Sequence, residues 1–89
     1  MTKDQAIKML SEIKNIAKDA SIIGEFQDSV VVLIPMYQKI RNAAIKNEWA
    51  DEDLIIDLSE KDEEIFTGDI ARTDVLVAAA GLFLKLLED

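Results

Sequence analysis

The sequence predicts an all-α fold: one domain over residues 1–89, built as a compact bundle of four to five helices, antiparallel with short loops. Three observations favour this fold. Apolar side chains recur at spacings of three and four residues, the period of an amphipathic helix. The apolar fraction is 49%, enough for a packed core in 89 residues. Only residues 30–34 have the composition of a strand, and a single strand lacks a neighbour to pair with.

The first helix is predicted from Thr2 to Ile22, because Thr2 and Gln5 have the spacing of a capping box. Gly24 is its natural end. The side chains predicted to face the core are Ala6, Met9, Leu10, Ile13, Ile16, Ala17 and Ala20.

The second helix is predicted from about Ser29 to Asn47, beginning near Asp28 or Ser29, with Pro35 close to its start. The alternative is a buried strand over residues 30–34 that Pro35 would end. Tyr37 is expected in the core with its hydroxyl at the surface. The whole apolar face is Met36, Tyr37, Ile40, Ala43, Ala44 and Ile45, and the polar side is Gln38, Lys39, Arg41 and Asn42.

The middle of the chain is predicted to form one or two short acidic helices. Residues 51–53 resemble the acid-rich first turn of a helix that carries Leu54, Ile55 and Leu58. Ser59 would cap a further short turn that ends near Phe66, and residues 67–69 are a predicted loop.

The last helix is predicted from Ile70 to Leu87, and between residues 75 and 87 only Lys85 is charged. A helix that is apolar on every side must be surrounded. It is therefore either the central helix of a monomer or the seam of a homo-oligomer, and the sequence favours self-association. The predicted contacts are Val75, Ala78, Ala79, Leu82, Phe83 and Leu86.

Charge is distributed unevenly along the chain, whose formal net charge is −8. Residues 1–47 hold seven basic and five acidic side chains, whereas residues 48–89 hold three and thirteen. Ten acids and the single base Lys61 lie between Glu48 and Asp69. Such a surface repels nucleic acid and anionic membranes, so neither is expected as a direct partner. It favours a protein partner with a basic surface.

The composition excludes several kinds of chemistry. The chain has no cysteine and no histidine, which removes disulfides, thiolate nucleophiles, Cys/His zinc sites and Ser-His-Asp triads. The longest apolar run, residues 75–84, is shorter than the roughly 20 residues of a membrane-spanning helix. The first twenty residues do not resemble a secretory signal. We therefore expect a cytoplasmic protein without a cofactor, a catalytic residue or a metal ligand.

One stretch resembles a family of enzymes. Residues 72–78, RTDVLVA, are similar to the second motif of the MazG-like all-α nucleotide pyrophosphohydrolases, whose EExxE and ExxD motifs bind Mg²⁺. Glu63 and Glu64 would begin the first motif. Ala71 and Thr67 stand where the family has acids. The resemblance implies Mg²⁺-dependent hydrolysis of a pyrophosphate bond.

The sequence favours a non-enzymatic protein-interaction module that uses its acidic surface, and it is compatible with a homodimer. One alternative is an acidic inhibitor or immunity-type protein that imitates nucleic acid, and the other is the MazG-like hydrolase. The predicted partner-binding residues are Trp49, Asp51, Glu52, Asp53, Asp57, Glu60, Asp62, Glu63 and Glu64. Leu54, Ile55, Ile65 and Phe66 are expected to add apolar contacts to this surface.

Overall fold

A computed structural model describes residues 1–23, 30–58 and 72–88 of the chain. Within these ranges there are three α-helices, which we name α1 (Lys3–Ile23), α2 (Val30–Lys46) and α3 (Arg72–Glu88), one 3₁₀ turn (Glu52–Leu54) and no strand. The radius of gyration is 12.5 Å, close to the value of about 12 Å for a compact chain of this length. The all-helical prediction is confirmed. The number of four to five helices stays a prediction, because the second short helix was expected between Ser59 and Phe66, outside the described residues.

Helix α1 begins with the capping box that the sequence predicts. The Thr2 N–H donates to Gln5 Oε1 at 2.9 Å, and the Gln5 N–H donates to Thr2 Oγ1 at 3.1 Å. The two bonds satisfy donors that have no partner inside the helix. One predicted core position is wrong: Ile16 is 51% exposed. The buried positions of α1 are Ala6, Leu10, Ile13 and Ala17.

Residues 30–34 are helical and form the first described part of α2, so the alternative of a buried strand is wrong. Pro35 lies inside it, where a proline lacks the N–H of the helical hydrogen bond. Burial of Leu33, Tyr37, Ile40 and Ala44 along one side offsets that loss. Met36, predicted on the same face, is 40% exposed. The predicted start at residue 28 or 29 lies outside the described residues.

A Schellman motif ends α2 at the predicted break. The Glu48 N–H donates to the Ile45 carbonyl at 3.2 Å, and the Trp49 N–H donates to the Ala44 carbonyl at 2.9 Å. Glu48 has a φ of 56°, the left-handed conformation that usually requires glycine at this position. The motif directs the chain back toward the core, and half-buried Trp49 packs against it.

Helix α3 packs mainly against α1, and it also contacts α2. Phe83 meets Tyr37 edge to face, with ring centroids 5.7 Å apart and an interplanar angle of 85°. The opposite side of α3 is exposed at Ala78, Leu82 and Lys85, so the described residues of one chain do not surround the helix on every side, and its enclosure by a second copy stays a prediction. Its buried positions are Leu76, Ala79, Ala80, Phe83, Leu84 and Leu87.

The short helix predicted after residue 51 is present only as the 3₁₀ turn at Glu52–Leu54, since the backbone of residues 55–58 is not helical. Asp51 Oδ1 accepts the Asp53 N–H at 3.0 Å and caps the turn. Ile55 is extended, with φ of −98° and ψ of 124°. Backbone groups beyond it bond to side chains of α2, which takes the place of helical hydrogen bonding. The turn near Phe66 and the loop at residues 67–69 lie outside the described residues.

Candidate protein-binding surface

Two side chains of α2 hold residues 56–58 in place. The Tyr37 hydroxyl donates to the Ile56 carbonyl at 2.8 Å. The Gln38 amide bonds twice: Nε2 donates to Asp57 Oδ1 at 2.8 Å, and Oε1 accepts the Leu58 N–H at 3.1 Å. These bonds replace the intrahelical partners that a non-helical backbone lacks. Gln38, predicted on the solvent side of its helix, is therefore an anchor for the neighbouring segment.

Arg41 lies one helical turn after Gln38 and also contacts the segment of residues 52–58. Its Nη1 lies 3.6 Å from Asp57 Oδ2, and its Nη2 donates to the Glu52 carbonyl at 3.4 Å. Only 13% of the Arg41 side chain and 25% of the Asp57 side chain are exposed. Within the described residues, Arg41 Nε is buried without a hydrogen-bond partner. Asp57 was predicted to bind a partner protein, but its carboxylate already engages α2.

Tyr37 differs from its prediction in one respect. Its ring lies in the core as expected, but its hydroxyl is also inside, since the residue has no exposed surface. Burial raises the pKa of this hydroxyl above its ordinary value; the Arg41 charge lowers the pKa, and the Asp57 charge raises it. The group stays protonated at neutral pH and acts as a hydrogen-bond donor.

The outward side of the same segment carries three consecutive exposed carboxylates, Asp51, Glu52 and Asp53, which we name the acidic turn. Glu48, one residue before Trp49, is also exposed. The turn is fixed at its start by the Asp51 cap and beyond its end by the bonds to α2. The acidic turn is therefore a charged surface of defined shape.

Next to the acidic turn, Leu54 and three residues of α3 enclose a small open hollow, which we name the leucine hollow. Its volume is about 270 Å³, and its lining consists of Leu54, Leu82, Lys85 and Leu86. Leu54 is 60% exposed and Leu82 is 53% exposed. These leucines belong to separate surfaces in the sequence-based prediction, because no local pattern shows that residues 54 and 82 line the same hollow.

The remaining predicted partner-binding residues divide into two groups. Trp49 is half-buried, and Ile55, expected to supply apolar contact, is buried at 4% exposure. The others lie outside the described residues: Glu60, Asp62, Glu63, Glu64, Ile65 and Phe66.

The predicted self-association residues are divided between the core and the surface of α3. Ala79 and Phe83 are buried within the single chain, at 1% exposure each. A second copy has access to the exposed Ala78 and Leu82 and to the half-buried Val75 and Leu86. Self-association stays a prediction, now confined to these four positions.

Neither a metal site nor a membrane span is found in the part of the chain that the structure describes. Within residues 1–23, 30–58 and 72–88, no three acidic side chains lie close enough together to hold a metal ion. Glu63 and Glu64, which carry part of the MazG-like resemblance, lie outside those ranges. None of the three described helices combines the length and apolar character needed to cross a membrane. The sequence matches no family model, and neither the curated proteins nor the solved structures include a significant match to it.

Proposed function

We propose that this protein is a non-enzymatic interaction module of the cytoplasm that presents the acidic turn to a basic surface of a partner protein. One observation carries the proposal: three consecutive carboxylates are exposed on a turn that the core helices hold in place. The segment therefore has an anchored inner side and a charged outer side.

The charge of the acidic turn is suited to steering a partner more than to holding it. A single exposed ion pair contributes about 0 to 1 kcal/mol. Several charges of one sign produce a summed potential that raises association rates by about 10- to 1,000-fold at low salt. Since the Debye length is about 8 Å at physiological ionic strength, the effect is short-ranged and depends on salt. We expect association to slow markedly as salt is raised.

Anchoring reduces the entropic cost of binding. Ordering a loop or a side chain on association opposes binding by about 0.5 to 1.5 kcal/mol per immobilised side chain. The backbone of the acidic turn is already fixed by the Asp51 cap and by the Gln38 bond to Leu58. A partner therefore meets a surface whose backbone needs little further ordering.

The test neutralises the acidic turn without removing its cap. In the triple variant Asp51→Asn, Glu52→Gln and Asp53→Asn, residue 51 keeps a side-chain oxygen that can accept the amide of residue 53. Proteins captured from the native source are identified and purified, and association is then measured at two salt concentrations. We expect the association rate to fall about tenfold or more at low salt and the salt dependence to weaken.

A matched variant separates local charge from net charge. Asp4→Asn, Glu12→Gln and Asp19→Asn remove three exposed carboxylates of α1, so both triple variants change the formal charge from −8 to −5. The α1 variant should associate within about twofold of the native rate. Equal losses in both variants, or no loss in either, would contradict a localised acidic binding surface. Circular dichroism verifies that both variants keep the helical fold.

A further inference from the structure

The leucine hollow is unusual because its exposed leucines come from two separate elements. Leu54 follows the acidic turn, and Leu82 lies on the outward side of α3. Single exposed apolar residues are normal on protein surfaces and need no explanation. Two that line a common hollow, with half-buried Leu86 beside them, form a shaped apolar surface.

The size and lining of the hollow indicate the kind of group that fits it. Its volume of about 270 Å³ is below the roughly 300 to 1,000 Å³ of typical small-ligand sites. Of its four lining residues only Lys85 is charged, and the lining atoms are almost all apolar. An aliphatic or aromatic side chain of a protein suits this hollow better than a polar metabolite does.

The charges around the hollow indicate the character of the partner. Asp51, Glu52 and Asp53 immediately precede Leu54 in the chain, and all three are exposed. These three carboxylates outnumber the single positive charge of Lys85, so the border of the hollow nearest Leu54 is negative. A second copy would bring the same acidic turn and the same net charge of −8, which opposes association. A basic partner is complementary to this border, and a second copy is not.

We propose that the leucine hollow binds an apolar side chain from a basic amphipathic helix of the partner, while lysine or arginine residues of that helix face the acidic turn. This is recognition of an amphipathic helix by an apolar groove, with apolar contact for affinity and charge for orientation. The inference rests on the proposed function and adds the partner's chemistry and the residues that receive it.

The test uses a synthetic amphipathic helical peptide of leucine and lysine as the probe, about 15 residues long. Binding is measured by titration with isotope-labelled protein, following the methyl signals of Leu54, Leu82 and Leu86. A second peptide keeps every lysine but carries glutamine in place of leucine. We expect the leucine peptide to shift these three methyl signals and to bind about tenfold or more tightly than the glutamine peptide.

Single substitutions in the hollow have a matched control. Leu82→Gln and Leu54→Gln should each weaken binding of the leucine peptide about tenfold. Ile16→Gln removes a side chain of almost the same exposure, 51% against 53% for Leu82, from outside the hollow, and it should bind as the native protein does. Because the three side chains are exposed, each variant should fold, and circular dichroism verifies this.

The outcomes distinguish the hollow from the acidic turn. If Leu54→Gln and Leu82→Gln bind the peptide as Ile16→Gln does, while the neutralised acidic turn binds it weakly, the hollow is not the site and the proposed function stands. If the neutralised acidic turn binds with full affinity, the partner is not selected by charge, and both proposals fail.

Light scattering tests whether a second copy of the protein occupies the leucine hollow. If a basic helix of the partner occupies the hollow, the native protein alone should have a mass of 10.0 kDa, against the self-association predicted from the sequence. A doubled mass that returns to 10.0 kDa in Leu82→Gln would assign the hollow to self-association and overturn the basic helix as its occupant.

Discussion

The α1–α3 pair and the segment of residues 51–58 are held in the fold by different forces. The helices are joined by apolar side chains that repeat along both of them, such as Leu10, Ile13 and Phe83, all buried. The segment has buried anchors at Ile55 and Leu58, but its position is also set by polar side chains of α2. Apolar burial is non-directional, whereas these hydrogen bonds specify individual backbone atoms.

The difference explains why the acidic turn has a fixed position without being part of a helix. Apolar periodicity cannot fix the position of a short non-helical segment, because such a segment has no repeating apolar face. Directed bonds can do so: Tyr37 and Gln38 bind the inner atoms of residues 56–58 while Asp51 to Asp53 stay in solvent. The binding surface therefore depends on a few specific polar contacts.

The largest expected effect comes from removing a buried apolar side chain that joins the helices. Phe83→Ala removes a ring that is 1% exposed and packs edge to face on Tyr37. We expect the free energy of unfolding to fall by about 3 to 5 kcal/mol, since the transfer free energy of the ring is lost and a cavity remains. Urea unfolding followed by circular dichroism measures the change.

The adjacent residue provides the control for this substitution. Leu82 lies on the outward side of α3 and is 53% exposed, so Leu82→Ala should change the free energy of unfolding by about 0.5 kcal/mol or less. A similar cost for both substitutions would mean that the two sides of α3 are equally buried, as in a helix enclosed by a second copy.

A smaller effect on the free energy of unfolding is expected when one hydrogen bond between α2 and the segment of residues 51–58 is removed. Tyr37→Phe keeps the ring but removes the hydroxyl that donates to the Ile56 carbonyl, which then lacks this partner. We expect a loss of about 1 to 2 kcal/mol in the free energy of unfolding. The methyl signals of Leu54 should also shift more than those of Leu10. If only the core signals respond, Tyr37 does not position the segment.

The pH dependence of the free energy of unfolding, compared between the native protein and Tyr37→Phe, is a second measurement. Because burial raises the pKa of Tyr37 in the folded protein, the unfolded chain loses this proton first, at about pH 10. The contribution of the hydroxyl is therefore fully present below pH 10 and declines as the pH rises above it. The stability difference between the native protein and Tyr37→Phe should shrink above about pH 10 and stay constant between about pH 6 and 9. A constant difference up to about pH 11 would contradict a raised pKa.

Sequence alone predicts the parts of this molecule that apolar periodicity controls. The capping box at Thr2 and Gln5, the approximate extents of α1 and α3 and the four buried positions of α1 follow from local patterns. The charge of the acidic turn is also evident from its composition.

Contacts between distant residues could not be predicted in the same way. Gln38 and Arg41 occupy the polar side of an amphipathic helix, and no local rule states that they bind residues 52–58. That Leu54 and Leu82 line the same hollow likewise depends on how the chain returns to the bundle. Asp57 shows the consequence for function: composition groups it with the binding acids, whereas its carboxylate is held by α2.

The smallest expected effect concerns the junction between the two regions, at Glu48. Its φ of 56° is unfavourable for any residue with a Cβ atom, by roughly 1 kcal/mol or more, and glycine adopts it freely. Glu48→Gly should therefore stabilise the protein by about 0.5 kcal/mol, because the greater freedom of glycine in the unfolded chain offsets part of the gain. Glu48→Ala removes the same charge but keeps the Cβ, so it should leave the free energy of unfolding nearly unchanged. Equal stabilities of the glycine and alanine variants would show that the left-handed conformation carries no strain. If Glu48→Gly is more stable and still binds its partner, residue 48 serves to end α2 and its carboxylate is not needed by the acidic turn.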